Sequence, residues 1–523
     1  MSEPVFKPCL QHQMMLLPPD LSDLIPENSM VRIVDGVIDS LDTSKLKALY
    51  PGGGTSAYDP SMMLKVVVFA YASSIYSSRK IARATQENIN FMWLCGMQQL
   101  DHNTINRFRS NRIRPVFEDI FSEVIALLAE GGHISLDTYF LDGTKIEANA
   151  NKFTFVWKKS TDRFQEALRQ KVHAHLSAID EMEDEEDSLA PEEAGEINAD
   201  AIEKAARRIN ERLNKKPDDK ELKRAVKAIE KDYLPRMRKY EDQQDTFGGR
   251  NSFSKTDPDA TFMRMKDDAM GNGQLKAAYN IQAGTEGQFI IDSTIHQRPG
   301  DTACAIPHCE HVKERLGHLP SNMVADAGYG SEENYTYFEN EGVDAFVKHN
   351  EFFRECKNKK WREDEMRVAN WSYDSEQDIY TCPEGRILNF TKEQVRRSDL
   401  DFVSTFRIYE CSDCTACSRR SKCTKSKNPD YKKTISINPR LTFFKERASE
   451  MLHTEKGSRL RKKRGVDVET VFGDIKNNHG FTRFTLRGLE KASLEWRLVA
   501  LGHNIRKLTY ALKGKAIHPM PAS

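Results

Sequence analysis

The segment Asn322-Met323-Val324-Ala325-Asp326-Ala327-Gly328-Tyr329 is a short apolar run that ends on an acid and a glycine. Such a run, bounded by a turn signal, reads as a buried strand. Around it the pattern alternates. Lys276 to Gln282 and Gln288 to Ile295 predict a hairpin across Gly284-Thr285-Glu286-Gly287. Asp301 to Leu316 predicts a helix, and Ala345 to Lys348 a further strand after one more helix. Strands and helices in alternation predict an α/β domain. A similar signature occurs earlier, where Ile134, Leu136, Phe140 and Leu141 lie in a largely apolar run that ends at Asp142-Gly143.

Two strands would thus each deliver a carboxylate, Asp142 and Asp326. A third acid, Glu469, lies in the predicted helix Val468-Glu469-Thr470-Val471-Phe472-Gly473-Asp474-Ile475-Lys476. Three acids converging at the edge of a mixed sheet suit phosphodiester chemistry. There, two divalent ions about 4 Å apart activate the attacking oxygen and steady the leaving one. Mg²⁺ takes few protein carboxylates and keeps positions open for phosphate oxygens and water. Each acid also has a plainer reading. Asp142-Gly143 is a hairpin-turn dipeptide, Asp137 competes as the first carboxylate, and Asp467 and Asp474 compete with Glu469. Spacing alone does not choose between them.

The flanks differ in character. Residues 1–130 predict a helical domain. Pro60 opens a helix through Met63, Leu64, Val67 and Val68, Ser77-Ser78-Arg79 opens a second, and Asp101 caps a third through the amides of Asn103 and Thr104. That third helix turns Ile105, Phe108 and Ile113 inward and leaves Arg107, Arg109 and Arg112 on a basic face. Such a face fits a DNA-binding module, or an ordinary solvated surface. Residues 131–160 hold the first part of the core. Residues 161–260 are charged, with helical periodicity over Ala201 to Leu213 and Glu221 to Ile229 and an acidic break near Glu183 to Glu193. They predict a helical hairpin or coiled-coil insertion. Residues 261–350 form the second part of the core, 351–450 an irregular cysteine-rich insertion, and 451–523 the C-terminal part with the Glu469 helix.

Global charge identifies no partner, because 78 Lys+Arg balance 78 Asp+Glu. Local basic stretches, Arg459 to Lys463 and Arg107 to Arg114, can still track phosphates. No run approaches the roughly 20 apolar residues of a membrane span, and no signal-peptide pattern is visible, so a cytoplasmic protein is expected. In that compartment the ten cysteines are thiols or metal ligands rather than disulfides. Cys382, Cys411, Cys414, Cys417 and Cys423 gather in one short region among Arg419, Arg420, Lys422, Lys425 and Lys427. Zn²⁺ takes four thiolates tetrahedrally. The expected set is Cys382, Cys414, Cys417 and Cys423, with Cys411 as the spare or alternate; reduced structural thiols are the other reading. Cys304, His308, Cys309 and His311 read as ordinary helix residues, and Trp157, Trp361 and Trp371 as packing residues more than platforms for an unpaired base.

Ordered blocks carry a resemblance. Asp142-Gly143-Thr144-Lys145-Ile146-Glu147-Ala148-Asn149-Ala150-Asn151, Ala325-Asp326-Ala327-Gly328-Tyr329-Gly330-Ser331 and the Glu469 helix resemble the three signature blocks of insertion-sequence transposases with a DDE triad. Ala57-Tyr58-Asp59-Pro60, Ser78-Arg79-Lys80-Ile81 and Asp101-His102-Asn103-Thr104-Ile105-Asn106-Arg107-Phe108-Arg109 resemble the helical domain that precedes that core. The likeness is to the IS-four/IS-five superfamily, in particular the group numbered eleven-eighty-two. It implies an RNase H-like core in which Asp142, Asp326 and Glu469 are the catalytic acids and ligands of Mg²⁺ (or Mn²⁺). It also implies binding of terminal inverted repeats in double-stranded DNA, strand cleavage and transfer to target DNA, and a homodimer on DNA. No membrane partner and no small-molecule cofactor follow. Asp137 becomes a strand residue, and Lys476, two turns beyond Glu469 on the same side of the helix, a DNA contact. One position departs from the pattern. The related signature has a Tyr and an Arg where Lys462 and Gly465 stand here, so Arg464, displaced by one residue, is the candidate for the phosphate contact.

Overall fold

The computed structural model describes residues 20–50, 57–182, 189–191, 193–265, 273–428 and 430–512. The centre of the acidic break, 183–188, lies outside the described residues. The chain divides into two compact units, Met1–Ile134 with Leu494–Ser523, and Ser135–Ser493. Among the described residues no helix is long and apolar enough to cross a membrane.

The first unit is helical. Proline at the start and Asp59, which accepts the Met62 amide, set the beginning of helix Pro60–Ala72. Its residues Met63, Leu64 and Val66 to Ala72 are buried, so it forms the centre of the unit. Leu494 onward, in helix Leu489–Leu512, packs against it. A Cβ on Gly502 would sit 2.8 Å from the Ala72 nitrogen, so glycine lets the two backbones approach. The third expected helix is present as His102–Arg107, and Asp101 caps it through the amides of Asn103 and Thr104.

The second unit is built on a mixed sheet of β1 (Thr138–Glu147), β2 (Thr261–Arg264), β3 (Leu275–Glu286), β4 (Phe289–His296), β5 (Asn322–Ala325) and β6 (Asp344–Val347). β1 is central. One edge pairs antiparallel with β3, Asp142 opposite Ala283 and Gly143 opposite Gln282. The other pairs parallel with β5, Phe140 opposite Val324, and β5 continues parallel to β6. The far edge of β3 takes its hairpin partner β4 and, near its start, β2. Asp142-Gly143 is therefore not a turn: the strand continues five residues past Asp142, because β3 offers it a partner along that whole length. The hairpin turn falls one step later than its glycines suggested, at Gly287 and Gln288, both at positive φ (58° and 67°) as a two-residue turn of this hand requires.

Helix Ala305–Leu316 covers the sheet, with His308, Cys309 and Val312 buried. His308 is more than an ordinary helix residue. Its ring joins the Tyr139 hydroxyl and the Thr294 hydroxyl, each at 2.8 Å, and so ties the helix to β1 and β4. Gly284 admits the Tyr139 ring, whose Cζ would lie 1.6 Å from an added Cβ.

Two further parts lie between the strands. Three helical stretches, Lys158–Met182, Ala199–Lys215 and Lys220 to Phe247 (the last through a π turn at Ile229–Tyr233), share a core that includes Leu168, Val172, Ile202, Ile209 and Met237. A helical hairpin or coiled-coil insertion was expected; the structure has three helical stretches around that apolar set. The cysteine-rich stretch is also more ordered than its irregular sequence suggests. Ser372–Asp374, Ile379–Thr381, Ile387–Arg397, Val403–Cys411 and Thr434–Ile437 form a five-stranded antiparallel sheet over a small core of Trp371, Leu388, Tyr409, Cys411 and Ile435.

Candidate active site

Parallel strands β1, β5 and β6 run towards one edge of the sheet, the edge where open α/β sheets place their ligands. Two residues past the Phe140–Val324 pair, this register sets Asp142 beside Asp326. Asp142 is buried, while Asp326 leaves the sheet and turns the chain by accepting the Gly328 amide at 2.8 Å.

Glu469 arrives from a helix. Helix Pro439–His453 bends sharply into Glu455–Arg464, a corner that needs Gly457, because a Cβ there would sit 2.0 Å from the Met451 carbonyl oxygen. Beyond Arg464 the helix widens into a π turn, Gly465–Glu469. In a π turn residues five apart come into register, where an α-helix aligns those four apart. Arg464 and Glu469 are five apart, and Arg464 Nη1 meets Glu469 Oε1 at 2.9 Å. The one-residue displacement of the arginine is thus absorbed by the helix geometry.

Arg464 gathers all three acids. Its Nη2 lies 3.0 Å from Asp142 Oδ2 and 3.7 Å from Asp326 Oδ2. The arginine and Asp142 side chains are 6% and 9% exposed, Asp326 37% and Glu469 57%. One side of the cluster is therefore shut in the protein and the other is open. The Arg464 Nε is buried with no hydrogen-bond partner. Hard carboxylate oxygens from three segments, already closed around one positive charge, fit a divalent cation.

The rival acids lie elsewhere. Asp467 is buried and accepts from the Thr285 hydroxyl and from the amides of Gly287 and Gln288, which pins the hairpin tip. Asp474 pairs with His479 at 3.4 Å and accepts from Asn478. Asp137 is exposed, precedes β1 and accepts from Asn322. Lys476 stands half-buried in a second π turn, Asp474–Asn478.

Sequence reasoning missed two charged neighbours. Lys348 follows β6; burial first, then the Arg464 charge, holds its ammonium below the usual lysine range, while Asp326 and Glu469 oppose the shift. The strand-end logic that flags Asp326 applies to it equally. Asp301 precedes helix Ala305–Leu316, where an acid reads as a simple cap, yet its Oδ1 would lie 2.4 Å from a Cβ on Gly143. It accepts from Asn280 (2.8 Å) and Gln282 (3.0 Å), and the buried Tyr329 hydroxyl donates to Gln282.

The cysteines stand apart in the smaller sheet. Cys411 is buried and donates to the Asp413 carbonyl at 3.2 Å; burial, then Cys414, pushes its thiol up to about 12. Cys382, Cys414, Cys417 and Cys423 are half-buried, and Cys414 Sγ accepts the Lys433 amide at 3.3 Å. Among the described residues, the three metal-ligating groups whose ligand atoms all lie within 4.8 Å of one another are instead His349, Glu351 and Glu355. Arg367 and Lys445 pair with those two glutamates, so the trio is a knot of ion pairs. Trp371 is buried, Trp157 stacks on Phe155, and Arg367 lies 3.5 Å over Trp361.

In the first unit the basic face is smaller than expected. Arg107 is exposed, and Arg112 donates to the Leu49 carbonyl and lies over Tyr50. Arg109 turns inward. It is 3% exposed, bonded to the Tyr71 hydroxyl and the Tyr76 carbonyl and 3.9 Å from buried Glu495. A buried carboxylate needs a cation, and Arg109 supplies it.

Comparison with protein families gives the class first. Residues 19–111 match a family model described as Transposase domain (DUF772). Residues 381–509 match a second, Transposase DDE domain, and the chain is a DDE transposase of the insertion-sequence kind. A DDE domain implies an enzyme that cleaves and joins DNA strands with a divalent metal. The second match spans Glu469 and the cysteines, whereas Asp142 and Asp326 fall outside both. No curated protein matches the chain.

Proposed function

We propose that this transposase binds the terminal inverted repeats of its own element, cuts a strand at each end to free a 3′-hydroxyl, and directs that hydroxyl at target DNA. The carrying observation is that Asp142, Asp326 and Glu469, from three distant segments, meet on one guanidinium. In this reading they hold two Mg²⁺ ions, which when bound activate the attacking oxygen and steady the leaving one. The chain's own groups do the rest. Buried Asp142 anchors the set, Asp326 and Glu469 face the open side, and Arg464, released from the acids, turns to the phosphate. Lys348 and Lys476 add positive charge for the DNA backbone. Water and then the 3′-hydroxyl act as nucleophiles, so no covalent protein–DNA bond is needed.

The strand order supports an RNase H-like core: a central β1 with the β3–β4 hairpin on one side and parallel β5 and β6 on the other. Residues 1–130, with Arg107 and Arg112, are assigned to end recognition, and two copies bring the two ends together. We assign the element to the group numbered eleven-eighty-two and the enzyme to the cytoplasm. Zinc, held by Cys382, Cys414, Cys417 and Cys423, would stiffen the smaller sheet. Cys411, buried and donating its proton, suits the spare place. Metal analysis of protein purified without chelator checks this; absence of zinc would remove the assignment.

Supercoiled DNA bearing the element's ends, incubated with the protein and Mg²⁺, tests the main reading. Joined products are expected. Cleavage without joining would make the chain a nuclease, and binding alone a silent descendant. Asp326→Ala should abolish cutting and keep end binding; surviving cleavage would overturn the triad.

A further inference from the structure

A fourth carboxylate lies beside the three. Asp301 has its Oδ1 fixed by two amides, Asn280 Nδ2 at 2.8 Å and Gln282 Nε2 at 3.0 Å. Its Oδ2 has no hydrogen-bond partner among the described residues. Gly143, next to a site acid, makes room for it. Gly143 follows Asp142, and a Cβ there would sit 2.4 Å from Asp301 Oδ1. Gly328 lies two residues past Asp326, and a Cβ there would sit 3.0 Å from Asp326 Oδ1 and 3.8 Å from Asp301 Oδ2. The unengaged oxygen of Asp301 and Asp326 Oδ1 thus both lie within 4 Å of the point where a Cβ on Gly328 would stand.

Two other observations agree. The buried Tyr329 hydroxyl has its pKa raised by burial first, and then by the charges of Asp301, Asp142 and Asp326. The guanidinium at the centre of the cluster is buried with its Nε unpaired, a position the surrounding protein does not complete. A capping acid engages its helix's amides, whereas the Asp301 side chain accepts from Asn280 and Gln282 of β3 and makes no capping bond to its own turn.

Resting on the metal-site reading above, we propose that Asp301 is a fourth carboxylate of the divalent-cation site, presenting Oδ2 beside Asp326 while Asn280 and Gln282 hold Oδ1. Groups of this kind orient the ligands and set affinity, and their loss typically costs 10–100-fold in metal binding.

Asp301→Asn isolates the effect, because the amide oxygen can still accept from Asn280 and Gln282 while the charge and the Oδ2 acceptor are lost. Mn²⁺ binding to the full chain, read from the electron paramagnetic resonance of the free ion, is compared for wild type, D301N and D326N. D301N should bind Mn²⁺ about 10-fold or more weakly, with its melting temperature in EDTA unchanged, and D326N should also bind weakly. Wild-type affinity in D301N alongside weak binding in D326N would overturn the role of Asp301 and leave the triad standing. Wild-type affinity in both would overturn the metal-site reading itself, and this proposal with it. Should D301N not fold, the wild-type chain loaded with Fe²⁺ and treated with ascorbate and peroxide gives the answer. Radical cuts are expected near 142, 326 and 301; cuts at the first two without the third refute it.

Discussion

Replacing Arg464 with methionine keeps most of the side-chain volume and removes the cation that touches all three acids. The structure indicates what that costs. The Arg464–Asp142 pair is 3.0 Å long with both partners more than nine-tenths buried. Removing one partner of a buried pair takes from Asp142 the guanidinium that faces it, a loss of up to about 3–5 kcal/mol. Asp326 and Glu469 are 37% and 57% exposed and solvent screens them, so each adds less than about 1 kcal/mol. In EDTA the variant should melt on the order of 5–10 °C below wild type. Mg²⁺ should then narrow the gap. A cation that binds the folded state at 100 times its Kd stabilises by about 2.7 kcal/mol, and in the variant it need not compete with a guanidinium for the same oxygens. Differential scanning fluorimetry across a Mg²⁺ series reads both effects. Equal melting of the two proteins in EDTA, or equal Mg²⁺-induced shifts, would refute the idea that the arginine and the metal answer to the same three carboxylates.

Other consequences are simpler. His296 is held neutral by burial, with Arg298 adding to the effect, and its pKa is lowered to about 4. Because the unfolded chain takes up that proton near pH 6.5, this contribution to stability is present above 6.5 and lost as pH falls towards 4, by at most about 3 kcal/mol. Urea titrations at pH 7 and pH 4.5 should show a smaller loss for His296→Gln; an equal loss would clear the histidine. Arg107→Ala should weaken binding to DNA of any sequence and reduce the salt slope by about 1, with stability unchanged. Arg109→Ala should instead destabilise the first unit by about 3 kcal/mol or more, since it removes a buried cation that bonds Tyr71 and Tyr76 and lies 3.9 Å from buried Glu495, and an unfolding midpoint equal to wild type would contradict its buried role. Gly284→Ala forces a Cβ into the Tyr139 ring and should cost more than about 3 kcal/mol or prevent folding; a soluble variant with a normal midpoint would refute that packing.

What could be read in the sequence follows what each residue does to its neighbours. The strand Asn322–Ala325 was legible because all four residues are buried in a run too short for a helix. Asp101 was legible because capping is local. The extent of β1 was not, since Asp142-Gly143 becomes strand rather than turn only through β3, more than a hundred residues away. The five-stranded sheet was illegible for another reason: in Ile387–Arg397 Leu388 alone is buried, so the strand shows no alternation. Arg109 was placed on the wrong face because periodicity cannot see that Glu495, at the other end of the chain, requires a cation. Asp301 hid as the first residue of a predicted helix, and only the absence of a Cβ at Gly143 makes its approach visible.

The displaced arginine shows why motif spacing and site chemistry come apart. By α-helical geometry, Arg464 at five residues before Glu469 points about 140° away from it, and the residue at four, Gly465, shares its face. A glycine there can contact nothing. The chain resolves this locally, by opening one π turn between Gly465 and Glu469 that brings positions five apart together. The same turn has a second anchor. Asp467, within it, is buried and held by Thr285, Gly287 and Gln288, so the widened turn is fastened to the β3–β4 hairpin rather than left to the helix. Asp467→Ala should therefore act on Arg464 and Glu469 without touching either. The hairpin tip loses its acceptor and the turn loses its reason to stay wide, so the Arg464–Glu469 contact of 2.9 Å should open. Stability should fall by about 1–3 kcal/mol for the stranded donors, and DNA cleavage should fall further than that loss explains. If cleavage by Asp467→Ala stayed at the wild-type rate below its melting temperature, the π turn would be an accident of packing and not the device that keeps the arginine on the acids.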